Sequence, residues 1–318
     1  KSQYKAMQTV NKELIFMYWH IGKIILENSQ WGNKFIDNLA IDLKLEFPAI
    51  KGFSVRNLKY MRKIAEEYPD FKFVQEVLAQ ITWYHNVILM DKIKDIEIRK
   101  WYINETVKNG WSSNILKMQI DNKLYERQAI SEKVTNFPST LPDSQSDLAL
   151  QTMKDPYLFD FISLKGKVKE LEIESAMINK IKDVLIELGN GFAFVGNQYK
   201  LTVSNKDYFI DLLLYHLKLK CYIVVELKAR EFEPTVAGQL NFYLSAIDDL
   251  VKDESDNPSI GLLLCKTKDK FTVEYALKDI NKPIGVSEYK LLEDIPEYLQ
   301  SQLPKAEDIE LHIQDIEE

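Results

Sequence analysis

The sequence predicts an all-helical N-terminal region followed by an α/β core of order α-β-β-β-α-β. Three observations carry that prediction. Apolar residues recur at spacings of three and four through the first third of the chain, the period of an amphipathic helix. Short apolar runs follow one another after residue 190, as strands do. A stretch rich in Pro, Ser, Asp and Asn, "NFPSTLPDSQSD" at 136–147, separates the two regions. At 318 residues, 46% of them apolar, the chain is long enough for two domains with a sizeable core.

Taken in order, residues 6–27 place Val10, Leu14, Met17, Ile21, Ile24 and Ile25 on one stripe, which predicts the first helix. Similar stripes predict helices over about 34–46, 54–68, 83–108 and 113–127. After the connector, a helix is expected over about 168–188, closed by Gly189 and Gly191 in a left-handed cap. Strands are expected at 192–203, 208–216, 221–229 and 259–265, with a helix near 235–250 before the last. The two cysteines, Cys221 and Cys265, sit inside apolar runs and read as buried thiols of a reducing compartment, hence a cytoplasmic protein. No apolar run approaches the roughly 20 residues of a membrane span.

The net charge of −7 hides an uneven distribution. Residues 1–150 carry 21 lysines and arginines against 18 acids, and residues 151–318 carry 20 against 30. Nine of those acids, with a single lysine, lie in 291–318, the composition of a solvated end that says little about what the rest of the chain binds.

The segment "FIDLLLYHLKLKCYIVVELKAR" at 209–230 is built for an interior yet carries Asp211, Glu226 and Lys228. If it folds as a hairpin turning around Lys218 and Leu219, residues whose numbers sum to 437 face one another, and Asp211 lies opposite Glu226. Glu226 and Lys228 share a face by the two-residue period of a strand. Two carboxylates about 5 Å apart repel unless a cation justifies them. Hard oxygen donors suit Mg²⁺, with Mn²⁺ as an alternative, and Lys228 is placed to orient or deprotonate a water and to offset charge on a phosphate. An isolated "ELK" carries little weight, because a solvated strand face accounts for it equally well. Its neighbourhood adds weight: Glu170 and Glu174 on the preceding helix, and Gln239 and Tyr243 four apart on the following one.

Those residues resemble the PD-(D/E)XK nuclease superfamily, whose core is α-β-β-β-α-β with an acid on the first helix and Asp and Glu-x-Lys on the central hairpin. The pattern here reads Glu174, Asp211, then Glu226-Leu227-Lys228, with Ile210 where the superfamily has proline. Gln239 and Tyr243 resemble the Q-x-x-x-Y extension of the RecB-like branch. Longer stretches, among them "VNKELIFMYWHIGKII", "KGFSVRNLKYMRKIAEEYP", "FIDLLLYH" and "VVELKAREFEPTVAGQLNFYLSAIDD", are similar to the YhcG family of bacterial proteins, a likeness running from about residue 8 to about 290. The resemblance implies a helix-turn-helix-like, DNA-binding domain over 1–135, a linker at 136–150, a restriction-endonuclease-like nuclease domain over 151–290 and an acidic segment at 291–318. It implies metal ligation by Glu174, Asp211 and Glu226, service to the water nucleophile by Lys228, and positioning of the phosphate or of Lys228 by Gln239 and Tyr243. Glu172, two residues from Glu174, offers a competing register on the same helix.

In "FSVRNLKYMRKIAEEYP", Ser54 is placed to cap a helix whose buried stripe is Leu58, Met61, Ala65 and Tyr68. Arg56, Asn57, Lys59, Tyr60, Arg62 and Lys63 then point outward, and the basic ones with Asn57 suit a groove or a row of phosphates as well as they suit a plain solvated face. His85 and His20 have no second histidine or cysteine at metal spacing and read as core or rim residues.

The expectation is a cytoplasmic, Mg²⁺-dependent phosphodiesterase acting on DNA, without an organic cofactor or membrane contact, and a homodimer if it cuts both strands. Two alternatives stay open: a catalytically silent DNA-binding adaptor, and an RNA-directed nuclease.

Overall fold

The computed structural model describes residues 2–28, 34–48, 52–164 and 168–294. The chain divides into two compact units, Lys1–Ile120 and Asp121–Glu318. Most of the acidic segment expected at 291–318, and residues 49–51 of the turn before the candidate recognition helix, lie outside the described residues.

The first unit is helical: α1 (Ser2–Glu27), α2 (Phe35–Glu46), α3 (Val55–Glu67), α4 (Phe71–Glu76), α5 (Trp83–Lys92), α6 (Ile96–Asn109) and α7 (Ser113–Asp121). The stripe expected on α3 is buried as predicted, with Leu58, Met61, Ala65 and Tyr68 inside, and Ser54 caps the helix by accepting from Asn57 N–H at 3.2 Å. Helix α1 lies so close to α3 that a Cβ on Gly22 would meet the Met61 carbonyl. The stripe expected on α1 is partly wrong. Val10, Met17 and Ile24 are exposed, because Ile15, Tyr18 and Trp19 take the inward face, where Trp19 Nε1 donates to the Tyr68 carbonyl at 2.8 Å. The single helix expected over 83–108 is two, because Asp95 caps α6 by accepting from Glu97 and Ile98 N–H.

The second unit is built on a seven-stranded sheet of β1 (Val134–Thr135), β2 (Tyr157–Phe159), β3 (Phe192–Val203), β4 (Lys206–His216), β5 (Cys221–Leu227), β6 (Ile260–Cys265) and β7 (Ile284–Leu291). The order is β1-β7-β6-β5-β4-β3, with β2 beside β7. Strands β3, β4 and β5 run antiparallel in succession, and β5, β6 and β7 are parallel. Ser204 and Asn205, both at positive φ, join β3 to β4 in a two-residue turn.

Helices α9 (Asp143–Thr152), α10 (Glu170–Asn179) and α11 (Ile181–Leu188) cover one face of the sheet through Ala149, Ile173, Met177, Val184 and Leu188. Helices α12 (Pro234–Leu250) and α13 (Lys270–Leu277) cover the other through Val236, Leu240, Leu244, Val273 and Leu277. Strand β6 is buried along its whole length, as a parallel strand covered on both faces should be. A Cβ on Gly261 would press on Leu240 of α12 at 2.8 Å, so that glycine sets how closely α12 seats on the sheet.

Several expectations need correction here. Residues 136–150 are not a linker: they form α8 (Phe137–Thr140) and most of α9, and Phe137, Leu141 and Ala149 enter the core. The turn-forming residues there are helix-start signals, with Pro138 in the first turn of α8 and Asp143 in the first turn of α9. Strand β1 falls within the region expected to be wholly helical, and α13 and β7 extend the core beyond the expected order. The helix expected over 168–188 is two, α10 and α11, meeting at Lys180. Gly189 and Gly191 take positive φ as expected, but Gly189 at ψ −176 is not in the left-handed helical region.

Candidate active site

The β4–β5 hairpin keeps the expected register, with Leu212 opposite Val225 and His216 opposite Cys221. Asp211 stands one step beyond Leu212, and its Oδ2 accepts from Leu227 N–H at 2.8 Å. On β5, Glu226 is buried, and its Oε1 accepts from Lys228 Nζ and from Gln239 Nε2, each at 2.9 Å. Gln239 on α12 also donates to Tyr243 Oη at 3.0 Å, so the Gln-x-x-x-Tyr pair is joined to the Glu-x-Lys pair through one amide. Lys228 reaches Glu170 of α10 as well, at 3.3 Å.

Glu174 is the buried acid of α10, at 4% exposure. Glu172 is excluded from that role by its own hydrogen bond, accepting from Lys169 N–H at 2.7 Å as a helix cap. Glu174 takes a hydrogen bond from Gln198 Nε2 at 2.6 Å and another from Asn197 Nδ2 at 3.3 Å. Sequence reasoning missed these two amides of β3. Neutral side chains on a strand carry no charge signal, and only the fold brings them to α10.

The electrostatics follow from burial. Desolvation lifts the Asp211 carboxyl above its ordinary value, and the negative charges of Glu174 and Glu170 add to the lift against Leu227 N–H and Lys228. Burial and then repulsion from Asp211 push Glu226 up to about 7, against the pull of Lys228. For Lys228, burial alone would favour the neutral amine, but attraction to Glu226 outweighs it and holds the ammonium above its ordinary value.

These residues fit a divalent cation in part. The donors are hard carboxylate oxygens, burial and neighbouring carboxylates disfavour the anions of Asp211 and Glu226 even beside Lys228, and Glu226 Oε2 is buried with no hydrogen-bond partner among the described residues. Among the described residues, no three acid, histidine or cysteine side chains stand together as a ready-made cation cage. Glu174 is near enough to act on Asp211 electrostatically while tied to its two amides.

Of the five residues expected to touch nucleic acid, Arg56 and Lys59 are exposed on α3, with the Arg56 guanidinium 5.8 Å from the Tyr60 ring. Arg62 is half-buried. Lys63 donates to the Met90 carbonyl at 2.9 Å and pairs with Asp91 at 3.6 Å. Asn57 does not point freely outward: its amide donates to the Gly52 carbonyl and accepts from Trp83 Nε1 at 2.7 Å, which fixes the start of α3. His85 is a core residue as expected, between Thr82 Oγ1 and the Trp111 carbonyl.

No helix of the described residues is long and apolar enough to cross a membrane. Comparison with known proteins matches residues 1–127 to the DUF1016 N-terminal domain and residues 150–304 to the YhcG PDDEXK nuclease domain. A protein of Escherichia coli (strain K12) described as "Putative nuclease YhcG" is 30% identical over 323 residues, spanning 90% of this chain and 86% of that protein. Among solved structures, "crystal structure of a repair endonuclease from Pyrococcus abyssi" aligns with 41% of this chain at 15% identity and a TM-score of 0.28. "Structure of EndoMS-dsDNA2 complex" aligns with 43% at 17% identity and a TM-score of 0.29. The alignments span 49% and 50% of those chains. With the helical first unit, the mixed sheet and the Asp-Glu-x-Lys hairpin in place, the chain belongs to the YhcG family, whose C-terminal part is a PD-(D/E)XK nuclease domain.

Proposed function

We propose that this protein hydrolyses phosphodiester bonds in DNA with the help of Mg²⁺ or Mn²⁺. The observation that carries the reading is the buried, unpartnered Glu226 Oε2 beside Asp211, whose carboxyl burial also disfavours as an anion. Lys228 engages only Glu226 Oε1, and a divalent cation would supply the partner that the buried Oε2 lacks. Asp211 and Glu226 would hold the ion, and Glu174, close enough to act on Asp211 electrostatically, would be drawn in as a third oxygen donor. When bound, a divalent cation polarises the phosphate and lowers the pKa of a water ligand.

The protein's own residues supply the rest. Lys228, held between Glu226 and Glu170, would offset the negative charge growing on the phosphate and orient the water. Gln239 fixes Glu226 and Tyr243 in one hydrogen-bonded row, so the acid stays aimed as the substrate arrives. Arg56, Lys59, Arg62 and Lys63 supply the charge that engages the DNA backbone, with Asn57 bracing the helix that carries them. Cutting both strands of a duplex then calls for two copies related by a two-fold axis.

The test is cleavage of linear, supercoiled, single-stranded and branched DNA, with an RNA control, in Mg²⁺, Mn²⁺ or EDTA. Cutting that needs metal and falls by at least about 100-fold in Asp211→Ala and in Lys228→Ala is the expected result. Metal-independent cutting, or full activity in Asp211→Ala, refutes the assignment. DNA binding without cutting in any metal points to the adaptor, and preferential cutting of the RNA control moves the substrate to RNA.

A further inference from the structure

Gln198 is an exposed residue of β3 with a φ of +44°, a left-handed backbone conformation that a glutamine adopts only under constraint. Strand β3 pairs Asn197 with Leu212 and Tyr199 with Ile210, which sets Gln198 across from Asp211. Strand alternation is broken at the same place on β4: Leu212 and Leu214 belong to the core under α9–α11, whereas Ile210 and Leu213 belong to the core under α12 and α13. Three peculiarities therefore meet at one point: a strained glutamine, a break in the pleat, and a buried carboxylate, Glu174, whose shortest hydrogen bond comes from that glutamine at 2.6 Å. The strained backbone delivers the amide to that buried carboxylate, which gives the strain a purpose at Glu174.

We infer that Gln198 is a positioning residue of the nuclease site, acting on the metal through Glu174. Its amide, helped by Asn197, fixes the rotamer of Glu174 and leaves lone pairs of the carboxylate for a cation that would draw it together with Asp211 and Glu226. The inference rests on the metal-dependent reading above. A hydrogen-bond partner one step removed from a metal commonly sets the affinity of the ligand it holds, by about 10- to 100-fold.

The experiment titrates Mn²⁺ alone into the full chain by calorimetry, with thermal melts of the metal-free protein alongside. Gln198→Gly removes the amide and relieves the backbone; Gln198→Asn keeps an amide and tolerates left-handed φ. Expected are Mn²⁺ binding about 10- to 100-fold weaker in Gln198→Gly, at least half of that loss on a logarithmic scale recovered in Gln198→Asn, and a metal-free melting temperature of Gln198→Gly no lower than that of the wild type. Binding within twofold of wild type in Gln198→Gly, an Asn variant as weak as the Gly variant, or a lowered metal-free melting temperature overturns the inference. Asp211→Ala separates the two levels. If it abolishes Mn²⁺ binding while Gln198→Gly does not weaken it, only the role of Gln198 fails; if wild type and Asp211→Ala bind alike, the metal-dependent reading fails and this inference with it.

Discussion

At the scale of single residues, burial decides protonation. His216 ends β4 fully buried, its Nδ1 accepting from Leu219 N–H at 3.0 Å, and burial with the nearby Lys218 charge pushes its imidazole down to about 4. A folded value below the ordinary 6.5 means that the unfolded chain binds the extra proton first. The stability this residue contributes is therefore complete above pH 6.5 and drains away as pH falls toward 4, by about 3 kcal/mol at most. Denaturant melts between pH 4.5 and 7.5 should show that slope in the wild type and a flatter one in His216→Asn, which keeps an acceptor but does not titrate. On α3, replacing both Arg56 and Lys59 by Ala should weaken DNA binding and reduce the slope of log affinity against log salt by about 2. A mobility-shift series in salt reads this directly, and an unchanged slope would place the contact elsewhere. Asp211, Glu226, Lys228, Gln239 and Tyr243 were legible as a group because charge inside apolar strands, and polar pairs at helical spacing, are visible in one dimension. Asn197 and Gln198 were not legible. They are neutral, and the break in alternation beside them defeats the two-residue period from which strand faces are read.

At the scale of elements, α11 is joined to its surroundings by buried charge. Glu187, at 5% exposure, accepts from Arg127 Nη1 at 2.6 Å and from Leu158 N–H of β2 at 2.9 Å, and also pairs with Lys154. Burial works against the Glu187 anion, yet Arg127 and Lys154 outweigh it and hold the carboxyl below its usual range. Glu187→Gln leaves two buried cations without their counter-charge and should cost about 3–5 kcal/mol in chemical denaturation. A loss under about 1 kcal/mol would mean that water already reaches the cluster. Strands β4, β5 and β6 and helix α12 were readable to within a few residues because each is a strongly patterned segment. The breaks between α5 and α6 and between α10 and α11 were not, since a stripe of apolar residues continues across the bend, which the Asp95 cap imposes in the first case and the turn at Lys180 marks in the second.

At the scale of the whole molecule, the connector that composition suggests and the division into compact units fall at different places. Turn-forming residues at 136–147 look like a connector, but the second unit begins at Asp121 and takes Val134, Phe137, Leu141 and Ala149 into its core. A fragment starting at residue 151 forfeits these side chains. The larger of them are worth about 2–5 kcal/mol each, against a typical total of about 5–15. That fragment should be unfolded or aggregated, whereas one starting at residue 121 should melt cooperatively, and circular dichroism with thermal scans distinguishes them.

Among the described residues, strand β3 has a neighbour on one side only, while β4 and β5 lie inside the sheet. Detaching the strand that carries Asn197 and Gln198, whose side chains hold Glu174, therefore requires fewer ladder hydrogen bonds to open than detaching the strands of Asp211 or Glu226. Two tempos should therefore meet at the site, with the backbone amides of β4 and β5 around Asp211 and Glu226 exchanging their hydrogens more slowly than those of β3, which carries the anchor of Glu174.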